Sequence, residues 1–119
     1  MAKILVIDDD PDILVVMEII LNMKGFTPEV TSDWDTIFER VEAFQPDLIV
    51  LDILIAGNDG RTICKQLKAD PKTKEIPVIM LSAHSAAAAT IKEYGADDFI
   101  AKPFQVNDLV EKINRHLKK

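Results

Sequence analysis

The feature that most constrains this chain is the regular alternation of short apolar runs with apolar stripes at helical spacing. The runs fall at 3–8, 27–31, 47–51, 77–81 and 98–101. "DLIVL" and "PVIML" are apolar at successive positions, so a strand built from either is buried on both faces. Ile4, Leu5, Val6 and Ile7 read the same way. Between the runs, Ile13, Val16, Met17, Ile20 and Leu21 recur at helical intervals, as do Trp34, Ile37, Phe38 and Val41. A shorter stripe carries Ile63, Cys64 and Leu67, a further helix is expected over roughly 85–94, and a last one carries Val106, Leu109, Val110, Ile113 and Leu117. Gly25 and Gly95 follow helical segments, where a left-handed cap favours glycine. Pro46 and Pro77 precede strands. Five strand–helix units in succession imply an α/β domain, a doubly wound parallel sheet covered on both faces. The weaker runs "TPEV" and "DFIA" are expected at its edges.

A length of 119 residues suits one domain with a real core, spanning 1–119. The chain has 14 Lys and Arg against 20 Asp and Glu, a net charge of −6. That balance argues against direct binding of nucleic-acid phosphates and, more weakly, of an anionic membrane. Cys64 is the single cysteine, excludes an internal disulfide, and is expected to pack in the core. A reducing cytoplasm fits this usage. No signal peptide is visible, and the longest apolar stretch, Ile13 to Met23, contains Glu18 and Asn22 and is too short to span a bilayer.

Acids gather where strands end. "VIDDDPD" closes the first run with Asp8, Asp9 and Asp10, and Asp52 closes the third. In a parallel sheet all strand C-termini share one edge, and ligands bind along it where strand order reverses. If the first and third strands are neighbours, Asp8, Asp9 and Asp52 converge. Two carboxylates about 4 Å apart repel by roughly 4 kcal/mol at an effective dielectric of about 20. A divalent cation relieves this, and Mg²⁺ favours oxygen ligands. Asp10 and Asp12 have a simpler account at a helix N-terminus, with Pro11 in the first turn. The fourth run ends in Ser82 and the small Ala83, and the fifth in Lys102 and Pro103. Singly, a serine there could be a cap and a lysine before proline a solvated loop residue. Together, an acid cluster, a hydroxyl and a lysine at one edge form a plausible phosphoryl site, with an aspartate as covalent nucleophile. His84 reads as a solvated helix-start residue that could alternatively orient water, and neither it nor His116 has metal-ligand spacing. Trp34 and Phe38 are expected to be core or partial core.

With "ILVIDDDPD", "PDLIVLDILIAGNDG", "IPVIMLSAHS" and "YGADDFIAKPF" in this order, the chain resembles the receiver domain of bacterial two-component response regulators over essentially its whole length. The likeness is greatest to short single-domain regulators of the chemotaxis type. The resemblance implies a flavodoxin-like fold with strand order 2-1-3-4-5, a property of that fold rather than a reading of these residues. It implies that Asp52 accepts a phosphoryl group from a phosphohistidine on a sensor histidine kinase or a histidine phosphotransfer protein. Asp8 and Asp9 would organise Mg²⁺ (Mn²⁺ as substitute), with Asp9, Asp52 and the backbone carbonyl of Leu54 as ligands. Lys102 would contact the phosphoryl group, Ser82 beside Ala83 would move toward it, and Phe99 would turn inward at the aromatic switch position. The Lys102–Pro103 peptide would be cis. Such a domain is a regulator that catalyses its own phosphorylation and dephosphorylation rather than an enzyme acting on others. It would report its state through the fourth helix, fifth strand and last helix, as a monomer or a phosphorylation-dependent dimer, to a downstream protein.

The sequence departs from the family pattern in places. Ala56, beside Gly57, stands where the family often has proline, and the interval from Ser82 to Lys102 is a residue or two short, so a shorter or displaced fourth helix is expected. Phe99 has no hydroxyl, so a switch there rests on packing. Apolar Leu54 gives an attacking water little help, which predicts a long-lived phosphorylated form. Other functions fit less well. A phosphatase using aspartyl phosphate commonly wants a second acid where Leu54 stands, and a flavin or nucleotide module wants a first turn rich in glycine or hydroxyls rather than acid. A phosphate-independent interaction domain leaves the acid, serine and lysine set unexplained. The sequence stops after the fifth helix at "NRHLKK", which fits either a standalone regulator or part of a longer protein.

Overall fold

The computed structural model describes residues 2–55 and 57–117, with the side chains of Ser85 and Ala87 left aside. Five strands, β1 (Lys3–Ile7), β2 (Thr27–Thr31), β3 (Leu48–Asp52), β4 (Val78–Ser82) and β5 (Asp98–Ala101), pair in parallel in the order β2-β1-β3-β4-β5. This is the expected flavodoxin-like order, with the two weaker runs at the edges. β3 and β4 end one residue later than the apolar pattern suggests, because Asp52 and Ser82 still have ladder partners in Leu81 and Ala101.

Side chains alternate across a strand, and here β1, β3 and β4 each supply both of two cores. Ile4, Val6, Leu48, Val50, Ile79 and Leu81 pack on one face with Met17 and Leu21 of α1 (Pro11–Met23) and with Leu109 and Ile113 of α4 (Val106–Leu117). Leu5, Ile7, Ile49, Leu51, Val78 and Met80 pack on the other with Ile37 and Val41 of α2 (Ile37–Phe44) and with Ile63, Cys64 and Leu67 of α3 (Gly60–Ala69). Burying a leucine or isoleucine side chain fully is worth about 1.5–3 kcal/mol, and β3 is buried at all five positions. Cys64 is a free, buried thiol, as its stripe implies. No helix among the described residues is long and apolar enough to cross a membrane.

Several expectations need correction. The segment over 85–94 is not an α-helix but two 3₁₀ turns, Ser85–Ala89 and Ile91–Tyr94, closed by Gly95 at φ +85°. Short helices owe their stability to tertiary packing of an apolar face; within this segment Ile91 is the buried hydrophobic anchor, while the alanines offer little side chain to bury. Trp34 is partial core, as expected, but in a 3₁₀ turn ahead of α2, whereas Phe38 is 44% exposed rather than core or partial core. Val16 is likewise 44% exposed, so the seam of α1 is narrower than its apolar content. Unforeseen from the sequence, Leu54–Ile55 and Asn58–Asp59 form a short antiparallel ladder between β3 and α3. Ala56 lies outside the described residues.

Candidate functional site

Strand register brings the acids together. β1 and β3 pair Ile7 with Leu51, so the next residues, Asp8 and Asp52, are neighbours by continuation of that register. Asp8 is fully buried and Asp52 nearly so, while Asp9 is exposed at the mouth. One carboxylate oxygen from each of the three lies within 4.8 Å of the others. Asp10 takes the role of N-cap to α1, its side chain accepting from the Asp12 N–H at 2.9 Å, with Pro11 in the first turn. Asp10 and Asp12 therefore stand apart from the cluster, as expected.

Lys102, just beyond β5, reaches back into this group. Its Nζ lies 2.8 Å from Asp8 Oδ2 and 3.5 Å from Asp52 Oδ2. Asp8 Oδ1 accepts the Asp10 N–H at 2.9 Å. Asp8 Oδ2 is enclosed and accepts no well-directed hydrogen bond among the described residues, so its contact with Lys102 is an ion pair. The Lys102–Pro103 peptide bond is cis.

The electrostatics follow from burial. Enclosure of Asp52 raises its carboxyl from the ordinary 3.8 to about 7; the Asp8 carboxylate beside it adds to the rise, and Lys102 opposes it. For Lys102, burial disfavours the ammonium, but contact with Asp8 and then the charge of Asp52 outweigh this and raise its pKa. Three carboxylates, two of them buried and one with an oxygen lacking a hydrogen bond, form a hard, all-oxygen donor set. Its net charge is only partly balanced by one lysine. These residues fit a small divalent cation of the Mg²⁺ type.

The loop after β3 is held tightly. The Leu54 N–H donates to Asp52 Oδ1 at 3.4 Å, and the Leu54 side chain is 54% exposed. Gly60 opens α3 with its N–H donating to the Ile53 carbonyl, and a Cβ at this position would run into the Asp52 carbonyl oxygen. Asp59 caps α3 by accepting the Arg61 N–H at 2.9 Å.

Ser82 ends β4, buried, one position past the partner of Asp52, and its Oγ accepts the His84 N–H at 3.0 Å. Its own carbonyl accepts the Lys102 N–H at 2.9 Å, which ties the ends of β4 and β5 together. Ala83 and His84 follow it, exposed. Phe99 is half-buried against the core on the α2 and α3 side, and its carbonyl accepts from Lys112 Nζ at 2.7 Å. Thus Asp8, Asp9, Asp52 and Lys102 meet directly, Ser82 and Ala83 adjoin them at the same edge, and Phe99, half-buried, pairs with Met80 two positions before the strand ends at Ser82. Sequence reasoning missed His116, which is buried with Nε2 2.9 Å from Asp98 Oδ2. It also missed Arg61, whose contacts cross 29 residues.

Comparison with known proteins agrees with this geometry. The family model for the response regulator receiver domain matches residues 4–114. The DNA-binding response regulator MtrA of Mycolicibacterium smegmatis is 34% identical over 98% of this chain and 51% of its own length. The DNA-binding dual master transcriptional regulator RpaA of Synechocystis is 36% identical over 100% of this chain and 50% of its own. The chain thus spans about half the length of these curated relatives. The crystal structure of the receiver domain of NtrX from Brucella abortus superposes with a TM-score of 0.89 at 32% identity, covering 98% of both chains.

Proposed function

Because the chain belongs to the response regulator receiver domain family, we propose that it is a phosphorylation-controlled switch with Asp52 as the phosphoacceptor and residues 1–119 as one receiver domain. The observation that carries this reading is the meeting of the Asp8, Asp9 and Asp52 carboxylates with the Lys102 ammonium at one sheet edge. In the reaction, an Asp52 carboxylate oxygen attacks the phosphorus of a phosphohistidine on a sensor kinase or phosphotransfer protein. The O–P bond forms, the N–P bond breaks, and the leaving imidazole takes up a proton. Asp8, Asp9, Asp52 and the Leu54 carbonyl would hold Mg²⁺ (or Mn²⁺), which neutralises negative charge as the phosphoryl group arrives. Lys102 turns from Asp8 to a phosphoryl oxygen, and the Leu54 N–H, already aimed at Asp52, serves the same group.

Attack needs the ionised form of Asp52, which burial disfavours near neutrality. A divalent cation held by Asp8, Asp9 and Asp52 would favour that ionised form. The added charge and acceptor oxygens then draw the Ser82 hydroxyl from the His84 N–H, with Ala83 leaving room beside it. Phe99 packs inward as Ser82 moves, and the pre-existing equilibrium shifts toward a second conformation. Hydrolysis of the aspartyl phosphate by water, releasing inorganic phosphate, returns the domain to its starting state, so the chain would catalyse both its own phosphorylation from the donor and its own dephosphorylation. Its output is docking to a downstream protein rather than contact with nucleic acid, and its place is the cytoplasm, in keeping with the free thiol of Cys64.

The test is direct. Incubation with Mg²⁺ and a small acyl phosphate adds one phosphoryl group by intact mass; Asp52→Ala adds none, and chelation of Mg²⁺ prevents the gain. No gain from small donors or from a cognate kinase would refute the reading.

A further inference from the structure

Arg61 follows Gly60 at the start of α3, and its guanidinium has three partners. Nε and Nη2 grip Asp59, with Nε 3.0 Å from Oδ1 and Nη2 2.8 Å from Oδ2. Nη1 donates to Thr90 Oγ1 at 2.8 Å, and the guanidinium carbon lies 5.3 Å from the centre of the Tyr94 ring. Thr90 is the joint between the two 3₁₀ turns, and Tyr94 is the last residue of the second. One arginine therefore holds both ends of the second turn.

At its other end the same side chain is fixed to the acceptor loop. Asp59 pairs with Leu54 in the short ladder, Gly60 bonds to the Ile53 carbonyl, and Leu54 bonds to Asp52 Oδ1. The contacts run without a gap from Asp52 through Leu54, Asp59 and Arg61 to Thr90 and Tyr94, and involve neither Ser82 nor Phe99. Charge-assisted, two-pronged arginine contacts are among the stronger hydrogen bonds. Among the described side chains of the segment they reach, Ile91 is the buried hydrophobic one. Segments with few buried apolar contacts open at low free energy and respond to small changes elsewhere.

We propose that Arg61 is a strut that couples the loop carrying Leu54 to the 85–94 segment, so that a change at Asp52 reaches Thr90 and Tyr94 through Asp59. It is a second route beside the Ser82 movement, and it rests on the proposed phosphorylation of Asp52. The test is hydrogen exchange by mass spectrometry on the full chain, before and after loading with Mg²⁺ and an acyl phosphate, with intact mass recorded in parallel. In the parent chain, exchange of 85–94 changes on loading. In Arg61→Met, exchange of this segment is about tenfold faster before loading, and the change on loading is lost while phosphoryl incorporation stays equal. Thr90→Val, which removes one contact and leaves the Asp59 grip intact, moves both quantities the same way by less. An unaltered response to loading in both variants overturns the coupling, even if basal exchange rises, since that alone marks a structural contact. Absence of phosphoryl gain in the parent chain is a separate failure, visible in the mass, and takes both readings down together.

Discussion

The Lys102 ammonium lies closer to Asp8 than to Asp52, at 2.8 Å against 3.5 Å. The oxygen it approaches, Asp8 Oδ2, is enclosed and lacks another well-directed partner among the described residues. A divalent cation held by Asp8 must share that carboxylate with the lysine, so the two cations compete. Lys102→Met is therefore expected to bind Mg²⁺ more tightly, by about tenfold or ~1.4 kcal/mol, in a calorimetric titration. Weaker binding would show that lysine and metal act on separate groups.

The raised carboxyl of Asp52 makes a pH-dependent prediction. Its pKa is about 7 in the folded chain against an ordinary 3.8. The folded state thus holds a proton that the unfolded state releases, and this contribution to stability, complete below about 3.8, is lost as pH rises through about 7. Asp52→Asn removes the ionisation. In metal-free buffer it should melt about 5 °C or more above the parent at pH 8 and near the parent at pH 4. Equal melting temperatures at pH 8 would mean that Lys102 already balances the pair.

Gly60 stands where a methyl group would strike the Asp52 carbonyl oxygen, a backbone atom with no rotamer to give way. Overpacking of this kind costs about 1–3 kcal/mol. Gly60→Ala should lower the urea midpoint accordingly and slow phosphoryl uptake, because relief of the clash moves the acceptor strand. An unchanged midpoint would show that α3 can shift freely.

Leu54 is more than half exposed beside Asp52 and presents no group able to orient water. Leu54→Asn supplies one. Loss of the phosphoryl group, followed by intact mass after removal of the donor, should speed up several-fold with stability unchanged. Slower loss would place the controlling residue elsewhere, with His84 the next to vary.

Much of this was legible in the chain because it depends on local pattern. Continuous apolarity distinguished the central strands β1, β3 and β4, and the weaker runs marked the edges. The acids at strand ends were visible as interruptions of those runs. What the sequence obscured depends on pairing over distance. Asp52 and Ser82 remain in strand because a neighbouring strand bonds them, not because of their own preference. The alanine run favours a helix by intrinsic propensity, yet with little to bury it forms only 3₁₀ turns. His116 shares the stripe of Leu109 and Ile113, so its burial had a signal, but its partner Asp98 lies on another element. Arg61 and Thr90, 29 residues apart, had none.

The polar groups at this edge are drawn from the ends of β1, β3, β4 and β5, and no contiguous stretch contains more than a fragment of them. A nascent or partly unravelled chain is therefore chemically mute: its aspartates are ordinary hydrated acids with ordinary affinity for nothing in particular. Only after the last strand has docked does Lys102 arrive opposite Asp8. On the proposed reading, phosphoryl acceptance at Asp52 would therefore require the completed sheet, because only the assembled edge unites Asp8, Asp9, Asp52 and Lys102.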